Sequence, residues 1–237
     1  MNTWINKIHQ GNCFDLLQEL PDSSIDCIIS DPPYEIGYDE WDTDFDIRKA
    51  IELCAKKIKL NGNIILFQGW SNVCKTKQIM DNYFNIQNWI IWDRIKGRGA
   101  KYNLVSTRED ILWYCNGNKP TYNKMYSNIK KKTGGLGKKN GQENRALSNV
   151  WYDISPIVPW SKERVDHSAQ KPVALIERCI KLFSNENDII LDFCAGSCTT
   201  AIACIKTNRN YICIEKEEKY CEIGNNRVAE IVGSRNA

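Results

Sequence analysis

Short apolar runs alternate along this chain with longer segments whose apolar residues recur at helical spacing. The runs predict strands at Trp4–Ile8, Ile25–Ile29, Ile64–Phe67, Trp89–Trp92, Ile111–Tyr114, Ile189–Leu191 and Tyr211–Ile214. The spacing, with its caps and stops, predicts helices at Phe45–Leu60, Ser71–Tyr83, Val173–Phe183, Thr199–Thr207 and Glu217–Val232. Strands that alternate with helices predict an α/β fold, in which a mostly parallel sheet carries helices on both faces.

The alternation stops between Gly117 and Ser148, where glycine and lysine replace the hydrophobic periodicity. This composition predicts a loop without regular structure, and we expect regular structure to resume after Pro159. The chain is therefore expected to form one α/β domain from residues 1–116 and 161–237, with an insert at residues 117–160.

Composition narrows the class of protein. The chain has 237 residues, 42% of them apolar, and no apolar run approaches the roughly 20 residues of a membrane span. The N-terminal residues lack the basic start and apolar stretch of a secretion signal. The 11 cysteines form no Cys-x-x-Cys, and Cys194 and Cys198 have no nearby histidine. We therefore expect a cytoplasmic protein with reduced thiols and no metal site.

Charge is unevenly distributed. The net charge is +3, but the segment from Arg94 to Arg145 holds 13 basic and three acidic residues, a local +10 that leaves −7 elsewhere. A basic insert on an acidic body is typical of polyanion binding, although a solvated loop with incidental lysines has the same composition. Interleaved aromatic residues can stack on bases and favour nucleic acid, although some of them are also expected in the core. They are Tyr102, Trp113, Tyr114, Tyr122 and Tyr126. The candidate DNA-binding residues are Arg94, Lys96, Arg98, Lys101, Lys130, Lys131 and Lys132.

Asp31-Pro32-Pro33-Tyr34 follows directly on the predicted strand Ile25–Ile29 and Ser30. Two prolines end a strand and stiffen the loop after it, at the edge where open α/β sheets bind ligands. The loop presents a carboxylate, acceptor carbonyls and an aromatic face, which together suit an amino-bearing heterocycle such as a nucleobase. An ordinary turn is the alternative, because Asp and Pro are common in turns.

A second loop, Asp192 to Thr200, joins a predicted strand directly to a predicted helix. In this position the free N–H groups of the helix face a ligand. Glu215 ends the next predicted strand, 23 residues after Asp192, where an acid can accept hydrogen bonds from both ribose hydroxyls. The combination predicts a nucleoside-bearing cofactor, and a phosphate-binding P-loop is disfavoured because no Gly-Lys-Ser/Thr closes the turn.

Four segments, in this order, resemble motifs of the β group of DNA amino-methyltransferases, whose catalytic motif precedes the cofactor loop. They are Gly11-Asn12-Cys13-Phe14-Asp15, Asp31-Pro32-Pro33-Tyr34, His167-Ser168-Ala169-Gln170-Lys171-Pro172 and the Asp192–Thr200 loop. The resemblance implies a circularly permuted Rossmann-like methyltransferase fold that uses S-adenosylmethionine. Residues 1–116 would form the catalytic half, residues 161–237 the cofactor-binding half, and the basic insert at residues 117–160 would take part in target recognition.

The resemblance also implies roles for individual residues. Asp31 and the Pro32 carbonyl would accept hydrogen bonds from the target amine, Pro33 would stiffen the loop, and Tyr34 would stack on a base flipped from the duplex. Lys171 would hold the methionine carboxylate, and Glu215 the ribose. The implied cofactor-binding residues are Asn12 and Cys13 at the adenine edge, Asp31, Lys171, Asp192, Cys194, Ala195, Gly196, Ser197, Thr199 and Glu215. For His167, packing or capping and ligand binding both stay open.

Three residues depart from the family pattern. Cys194 replaces an aromatic residue that would form a wall beside the cofactor. Cys198 stands where a glycine is usual, either because the backbone approaches the ligand or because the conformation favours glycine. Asn12 replaces an aspartate, and its amide oxygen can still accept from an adenine amine.

The leading interpretation is a site-specific DNA adenine-N6 methyltransferase, with double-stranded DNA as partner and a restriction endonuclease as a second possible partner. Cytosine-N4 methylation is the first alternative. A DNA-binding relative with a decayed cofactor loop, and an RNA or protein-glutamine methyltransferase, are the others. The sequence leaves monomer and homodimer both open.

Overall fold

An eight-stranded sheet runs through the residues that the computed structural model describes, which are 1–34, 45–98, 101–130 and 144–235. The strands are β1 (Lys7–Gln10), β2 (Ile25–Ser30), β3 (Ile58–Gln68), β4 (Asn85–Arg98), β5 (Ser106–Cys115), β6 (Tyr126–Lys130), β7 (Asn144–Ala146), β8 (Val150–Trp151), β9 (Ile189–Asp192) and β10 (Asn210–Glu215). The helices are α1 (Cys13–Glu19), α2 (Ile47–Lys57), α3 (Val73–Met80), α4 (Val173–Phe183), α5 (Thr199–Thr207) and α6 (Glu218–Arg235).

The strand order in the large sheet is β1-β10-β9-β2-β3-β5-β4-β8, and β6 and β7 form a separate hairpin. Strands β1, β10, β9, β2 and β3 are all parallel, and β5 runs antiparallel to both β3 and β4. The predicted α/β fold with a mostly parallel sheet is therefore confirmed. No helix in the described part of the chain is long and apolar enough to cross a bilayer.

The sheet has a topological switch point between β2 and β9, from which the strand connections run in opposite directions. Strand β2 pairs with β9 on one side and with β3 on the other, while β9 continues through α5 to β10 on its far side. The carboxyl ends of β2 and β9 therefore lie side by side at the point where their outgoing connections diverge. A crevice opens at such a point and serves as the ligand site of open α/β sheets.

Alternate residues of the central strands enter two apolar cores, one on each face of the sheet. Cys27 and Ile29 pack with α4 and α5, whereas Ile25 and Ile28 pack with α1, α2 and α3. Because both faces are covered, five of the six residues of β2 are buried and four of the six are apolar, as is typical of parallel strands buried on both sides.

Several predicted boundaries differ from the structure. Helix α2 ends at Lys57 rather than Leu60, because Ile58 already pairs with Ile25 in the sheet and β3 runs on through Asn61-Gly62. Strand β1 begins at Lys7, later than the predicted Trp4. At α3 the N-cap is Asn72 and not Ser71, and the Asn72 side chain donates to the Tyr34 carbonyl instead of capping the helix.

Residues 131–143 of the insert lie outside the described residues. For the residues before and after them, the prediction of a loop without regular structure was wrong. The strands β6 and β7 pair there, and β8 joins the main sheet beside β4. Trp151 on β8 is buried in the core. Two aromatics predicted to stack on bases are also core residues, since Tyr114 is fully buried and Trp113 packs on Phe183. The domain boundaries at 117 and 160 stay a prediction.

Asn63 is expected to anchor the start of the insert to the main domain. Its buried amide donates to the carbonyls of Thr121 and Phe183 and accepts from the Trp113 indole N–H. Asn63→Leu has nearly the same volume but leaves one buried and two partly buried partners unpaired, so we expect the free energy of unfolding to fall by about 2–3 kcal/mol. Urea denaturation measures it. The exposed Asn85, replaced by Ala, serves as control and should cost no more than about 0.5–1 kcal/mol.

Candidate functional site

A cavity of about 600 Å³ lies at the carboxyl ends of β2, β9 and β10. This volume is in the range of sites for cofactors and drug-sized molecules. The residues that line it include five segments, namely Gly11–Phe14, Asp31–Tyr34, His167–Lys171, Asp192–Ser197 and Glu215–Glu217. The fold thus brings all four motif segments and Glu215 to one place, although they are distant in the sequence.

The Asp31–Tyr34 loop is held from several sides. It leaves β2 between two neighbouring strands, and the Tyr34 hydroxyl donates to Asp31 Oδ1. The Asn72 amide donates to the Tyr34 carbonyl. Gly69, after β3, leaves room for the Tyr34 ring, because a Cβ there would lie 3.1 Å from a ring carbon. The loop is therefore fixed by contacts with β3 and α3 as well as by its prolines.

Lys171 reaches the catalytic loop. Its Nζ pairs with Asp31 Oδ2 and lies 3.3 Å from Glu109 Oε2, and Arg94 lies 3.3 Å from the other Glu109 oxygen. Lys171 is 10% exposed and Glu109 12%. The four side chains form a row of alternating charge, in the order Asp31, Lys171, Glu109 and Arg94. Each charge therefore has a partner of opposite sign in a partly buried setting.

Burial and charge act in opposite directions on this network. Burial opposes the charge of the Lys171 ammonium, but the Asp31 and Glu109 carboxylates outweigh burial and raise its pKa. Burial, followed by the Asp31 charge, raises the pKa of Tyr34 well above its usual value. Lys171 is therefore a cation and Tyr34 a neutral phenol at neutral pH.

The Asp192–Thr200 loop is closed by Glu215. The Gly196 N–H donates to Glu215 Oε2 at 2.7 Å, and the Glu217 N–H donates to Oε1 at 2.8 Å. Gly196 has φ +50°, and a Cβ there would lie 2.7 Å from His167 Nε2, so only glycine fits. His167 packs edge-on against Tyr220, which gives it a packing contact at the loop.

Asp192 bridges the ends of β2 and β9 to the start of α5. One carboxylate oxygen accepts from the Ser30 hydroxyl at 2.8 Å, and the other from the Thr200 hydroxyl at 2.6 Å. The Cys194 N–H adds a third hydrogen bond. Burial nevertheless raises the pKa of Asp192 to about 6, although these donors favour the ionised form.

Asn12 and Cys13 occupy the start of α1. The Asn12 side chain caps this helix by accepting from the Phe14 N–H at 2.9 Å. The Cys13 and Cys194 thiols hydrogen-bond each other, and burial followed by this bond raises the pKa of Cys194. Although Cys194 stands where an aromatic wall was expected, the rings of Phe14 and Phe45 line the cavity and stack on each other.

Cys198 adopts the left-handed conformation that glycine favours, with φ +59° and ψ +37°. Its side chain is fully buried and packs against α6, where Gly224 leaves the space. A Cβ at Gly224 would lie 2.5 Å from Cys198 Sγ. The substitution is thus accommodated by a glycine on the facing helix, and the thiol points into the core.

The predicted DNA-binding residues have different positions. Arg94 pairs with Glu109 in the cavity wall, whereas Lys101 is exposed at the tip of the β4–β5 hairpin. Lys96, Arg98 and Lys130 lie on described strands, but their side chains are outside the described residues, as are Lys131 and Lys132 altogether.

Sequence reasoning did not identify Ser30, Glu109 or Gly224. Glu109 had one signal, because it is among only three acids in a segment with 13 basic residues. No sequence signal marked Ser30 or Gly224. The role of Ser30 depends on Asp192, which is 162 positions away, and that of Gly224 depends on its packing against Cys198.

Comparisons with known proteins point to one family. A family model described as DNA methylase, covering N6 and N4 enzymes, matches residues 25–226. The Type II methyltransferase M1.MboII of Moraxella bovis is 31% identical, over 93% of this chain and 95% of its own. The DNA adenine methyltransferase YhdJ of Escherichia coli (strain K12) is 30% identical, over 93% and 82%. The crystal structure of the M1.HpyAVI–SAM complex aligns with a TM-score of 0.69 at 27% identity, covering 93% of this chain and 98% of that one.

We expect Cys198 and Gly224 to be energetically coupled. Gly224→Ala alone should destabilise the protein by about 1–3 kcal/mol, because the new methyl collides with the Cys198 side chain. In a Cys198→Gly background the same substitution should cost less, since the two Cys198 contacts are gone and the remaining close neighbour is the end of the Ile8 side chain, 2.9 Å away. Alanine also favours the helix by about 1 kcal/mol. A double-mutant cycle by urea denaturation measures the coupling.

Gly233 is the matched control for that cycle, because nothing lies within 4 Å of a Cβ built there on the same helix. Gly233→Ala should stabilise both backgrounds equally. Additive effects of Cys198→Gly and Gly224→Ala, within about 0.5 kcal/mol, would contradict the packing described.

Asp192 should make stability decrease as the pH rises from about 4 to 6. The native carboxyl keeps its proton up to its pKa of about 6, whereas the unfolded one loses it near 3.8. The native state therefore binds more protons in this window, and its stability falls with rising pH by up to about 3 kcal/mol. The difference in unfolding free energy between wild type and Asp192→Asn, measured across the window, isolates this effect. Parallel pH profiles would refute it.

Proposed function

This chain belongs to the DNA methylase family, and we propose that it transfers a methyl group from S-adenosylmethionine to the N6 amine of adenine in DNA. The observation that carries the proposal is the shared cavity. The Asp31 loop and the Gly196–Glu215 loop, one suited to an amine and the other to a ribose, face the same space.

The residues present fit S-adenosylmethionine. An ionised carboxylate has about four acceptor positions, and Glu215 uses one on each oxygen for backbone N–H groups, which leaves capacity for two ribose hydroxyls. Phe14 and Phe45 offer apolar ring surface for an adenine. The inward-facing Cys198 leaves the loop backbone open to the ligand. When bound, the cofactor supplies an electrophilic methyl group on its sulfonium centre.

Asp31 and Tyr34 act on the target base. The Asp31 carboxylate and the Pro32 carbonyl accept from the amine, which raises electron density on its nitrogen, and Asp31 Oδ2 is placed to take the proton that the amine loses. The Tyr34 ring stacks on the base, which must leave the duplex because its amine is otherwise paired. Fixed orientation of this kind can contribute about 7–11 kcal/mol to catalysis.

Lys171 must yield its place on Asp31 Oδ2 to the amine. Glu109 offers Lys171 a second carboxylate 3.3 Å away, so the ammonium stays compensated when the base enters. Its contact with Asp31 supports a role for Lys171 at the catalytic carboxylate, while the predicted contact with the methionine carboxylate stays a prediction.

Adenine is favoured over cytosine. The relative YhdJ, named as a DNA adenine methyltransferase, shares 30% identity with this chain. In the amino-methyltransferase family that the motifs resemble, Asp at the first position of the Asp-Pro-Pro-Tyr motif usually goes with adenine, and Ser more often with cytosine-N4. Cytosine-N4 is the alternative, because the matching family includes N4 enzymes. Mass spectrometry of nucleosides from methylated DNA separates the two.

The biological setting follows from the relatives. The Type II designation of M1.MboII supports a modification role, and such a role predicts a cognate restriction endonuclease as partner. DNA as substrate and 11 free cysteines support a cytoplasmic location.

Asp31→Ala should abolish methylation without abolishing cofactor binding. We expect transfer to fall by at least about two to three orders of magnitude, because the amine loses its charged acceptor. The dissociation constant for S-adenosylmethionine should change by less than about threefold. Long-read sequencing of DNA from expressing cells first identifies the methylated site, and transfer of labelled methyl then gives the rate.

Glu222→Ala, at an exposed acid on α6 outside all four motifs, is the matched control and should behave as wild type. Near-wild-type turnover by Asp31→Ala would refute the catalytic assignment. Absence of heat and of thermal stabilisation when the wild-type chain is titrated with S-adenosylmethionine would favour a decayed binding module instead.

A further inference from the structure

The β4–β5 hairpin contributes to the cavity wall and continues past its lining residues to a tip. Arg94, Ser106 and Arg108 line the cavity from this hairpin. Arg98 pairs with Ser106 at its far end, and residues 101–105 form the described part of the tip. Between the pairs Asp93–Arg108 and Arg98–Ser106, β4 carries three more residues than β5, which is a bulge. Bulges bend a strand and occur next to active sites, where they redirect side chains.

The tip carries large apolar side chains in full contact with water. Tyr102 is 89% exposed and Leu104 is 88% exposed, and the neighbouring Val105 and Ile95 are more than half exposed. Single exposed apolar residues are common, but several on one protruding hairpin indicate a contact surface.

The sequence of this hairpin has the charge of a DNA-binding element. From position 94 to 108 the sequence contains five basic residues and no acid, namely Arg94, Lys96, Arg98, Lys101 and Arg108. The hairpin therefore combines a basic sequence, which suits phosphates, with an apolar tip, which does not. Proteins that open or kink a duplex use this combination, in which an apolar wedge enters between bases while cations hold the backbone.

We propose that Tyr102 and Leu104 form a wedge that enters the DNA duplex and fills the position vacated by the flipped target base. This inference rests on the proposed function. Leu104 lies two residues before the start of β5 and five residues before Glu109 in the chain, so it is at most about 17 Å from Glu109. The wedge and the catalytic loop can therefore act on one nucleotide and its neighbours. The wedge offsets the stacking that is lost when the base moves to Asp31 and Tyr34.

The test compares the double variant Tyr102→Ser/Leu104→Ser with the wild type on two DNA duplexes. One duplex holds the target adenine in a normal pair, and the other places it opposite an abasic site, so that flipping costs less. On the paired duplex we expect kcat/KM to fall about ten- to hundred-fold, the factor for a few kcal/mol of lost stacking. On the abasic duplex the variant should approach wild type. 2-Aminopurine at the target position reports flipping directly and should show reduced fluorescence with the variant.

Leu60→Ser is the matched control. Leu60 is 76% exposed, and eight residues of β3 separate it from Gln68 near the cavity, a span of about 26 Å. It should match wild type on both duplexes. Because all three residues are exposed, melting temperatures should also match wild type.

Two results would overturn the wedge while leaving the proposed function intact. One is an equal loss, or no loss, on both duplexes. The other is conversion of a wild-type dimer to a monomer by the double variant, seen by light scattering, which would assign the tip to a protein interface. If the wild-type chain methylates no DNA at all, the proposed function fails, and the wedge fails with it.

Discussion

The buried Asp192 carboxylate is the interaction on which the site depends. It joins Ser30 at the end of β2 to Thr200 in the first turn of α5, across the point where the strand connections diverge. The strand order creates the crevice at the switch point, but the two loops that border it are fixed relative to each other by side-chain contacts between them. Asp192 supplies such a contact at the cost of its own desolvation, which its raised pKa records. The Asp31 loop and the cofactor loop are thereby fixed relative to each other.

Compensation at a distance explains how the loop tolerates its two cysteines. Cys198 keeps the left-handed conformation of a glycine, at a cost of about 1–2 kcal/mol, and places its thiol in the space left by Gly224 on α6. Cys194 exchanges a hydrogen bond with Cys13, and aromatic surface comes from Phe14 and Phe45 instead. The departures from the family pattern are thus absorbed by residues outside the motif, and the surface toward the ligand is preserved.

The catalytic loop shows the same dependence on distant residues. Asp31 is paired with Lys171, 140 positions away, and Lys171 is shared with Glu109 on β5. Lys171 and Asp31 both belong to motifs and were predicted as site residues, but their contact was not. Glu109 lies in a segment whose basic composition suggested only DNA binding, and Arg94, predicted to bind DNA, is its partner. Charges of both signs therefore meet in the wall of the cavity.

Local pattern determined the elements and the order of the motifs. Helices α4 and α5 have the predicted bounds, and β2, β9 and β10 lie within one or two residues of them, because apolar periodicity reports burial directly. The pattern failed at α2, where pairing with Ile25 made Ile58 a strand residue, and in the insert, where β6, β7 and β8 form without strong apolar runs. Only the tertiary structure decided which carboxylate Lys171 contacts, where Cys198 points and which apolar side chains stay in water at the hairpin tip. Those outcomes depend on contacts between residues far apart in the chain, and periodicity along the chain carries no information about them.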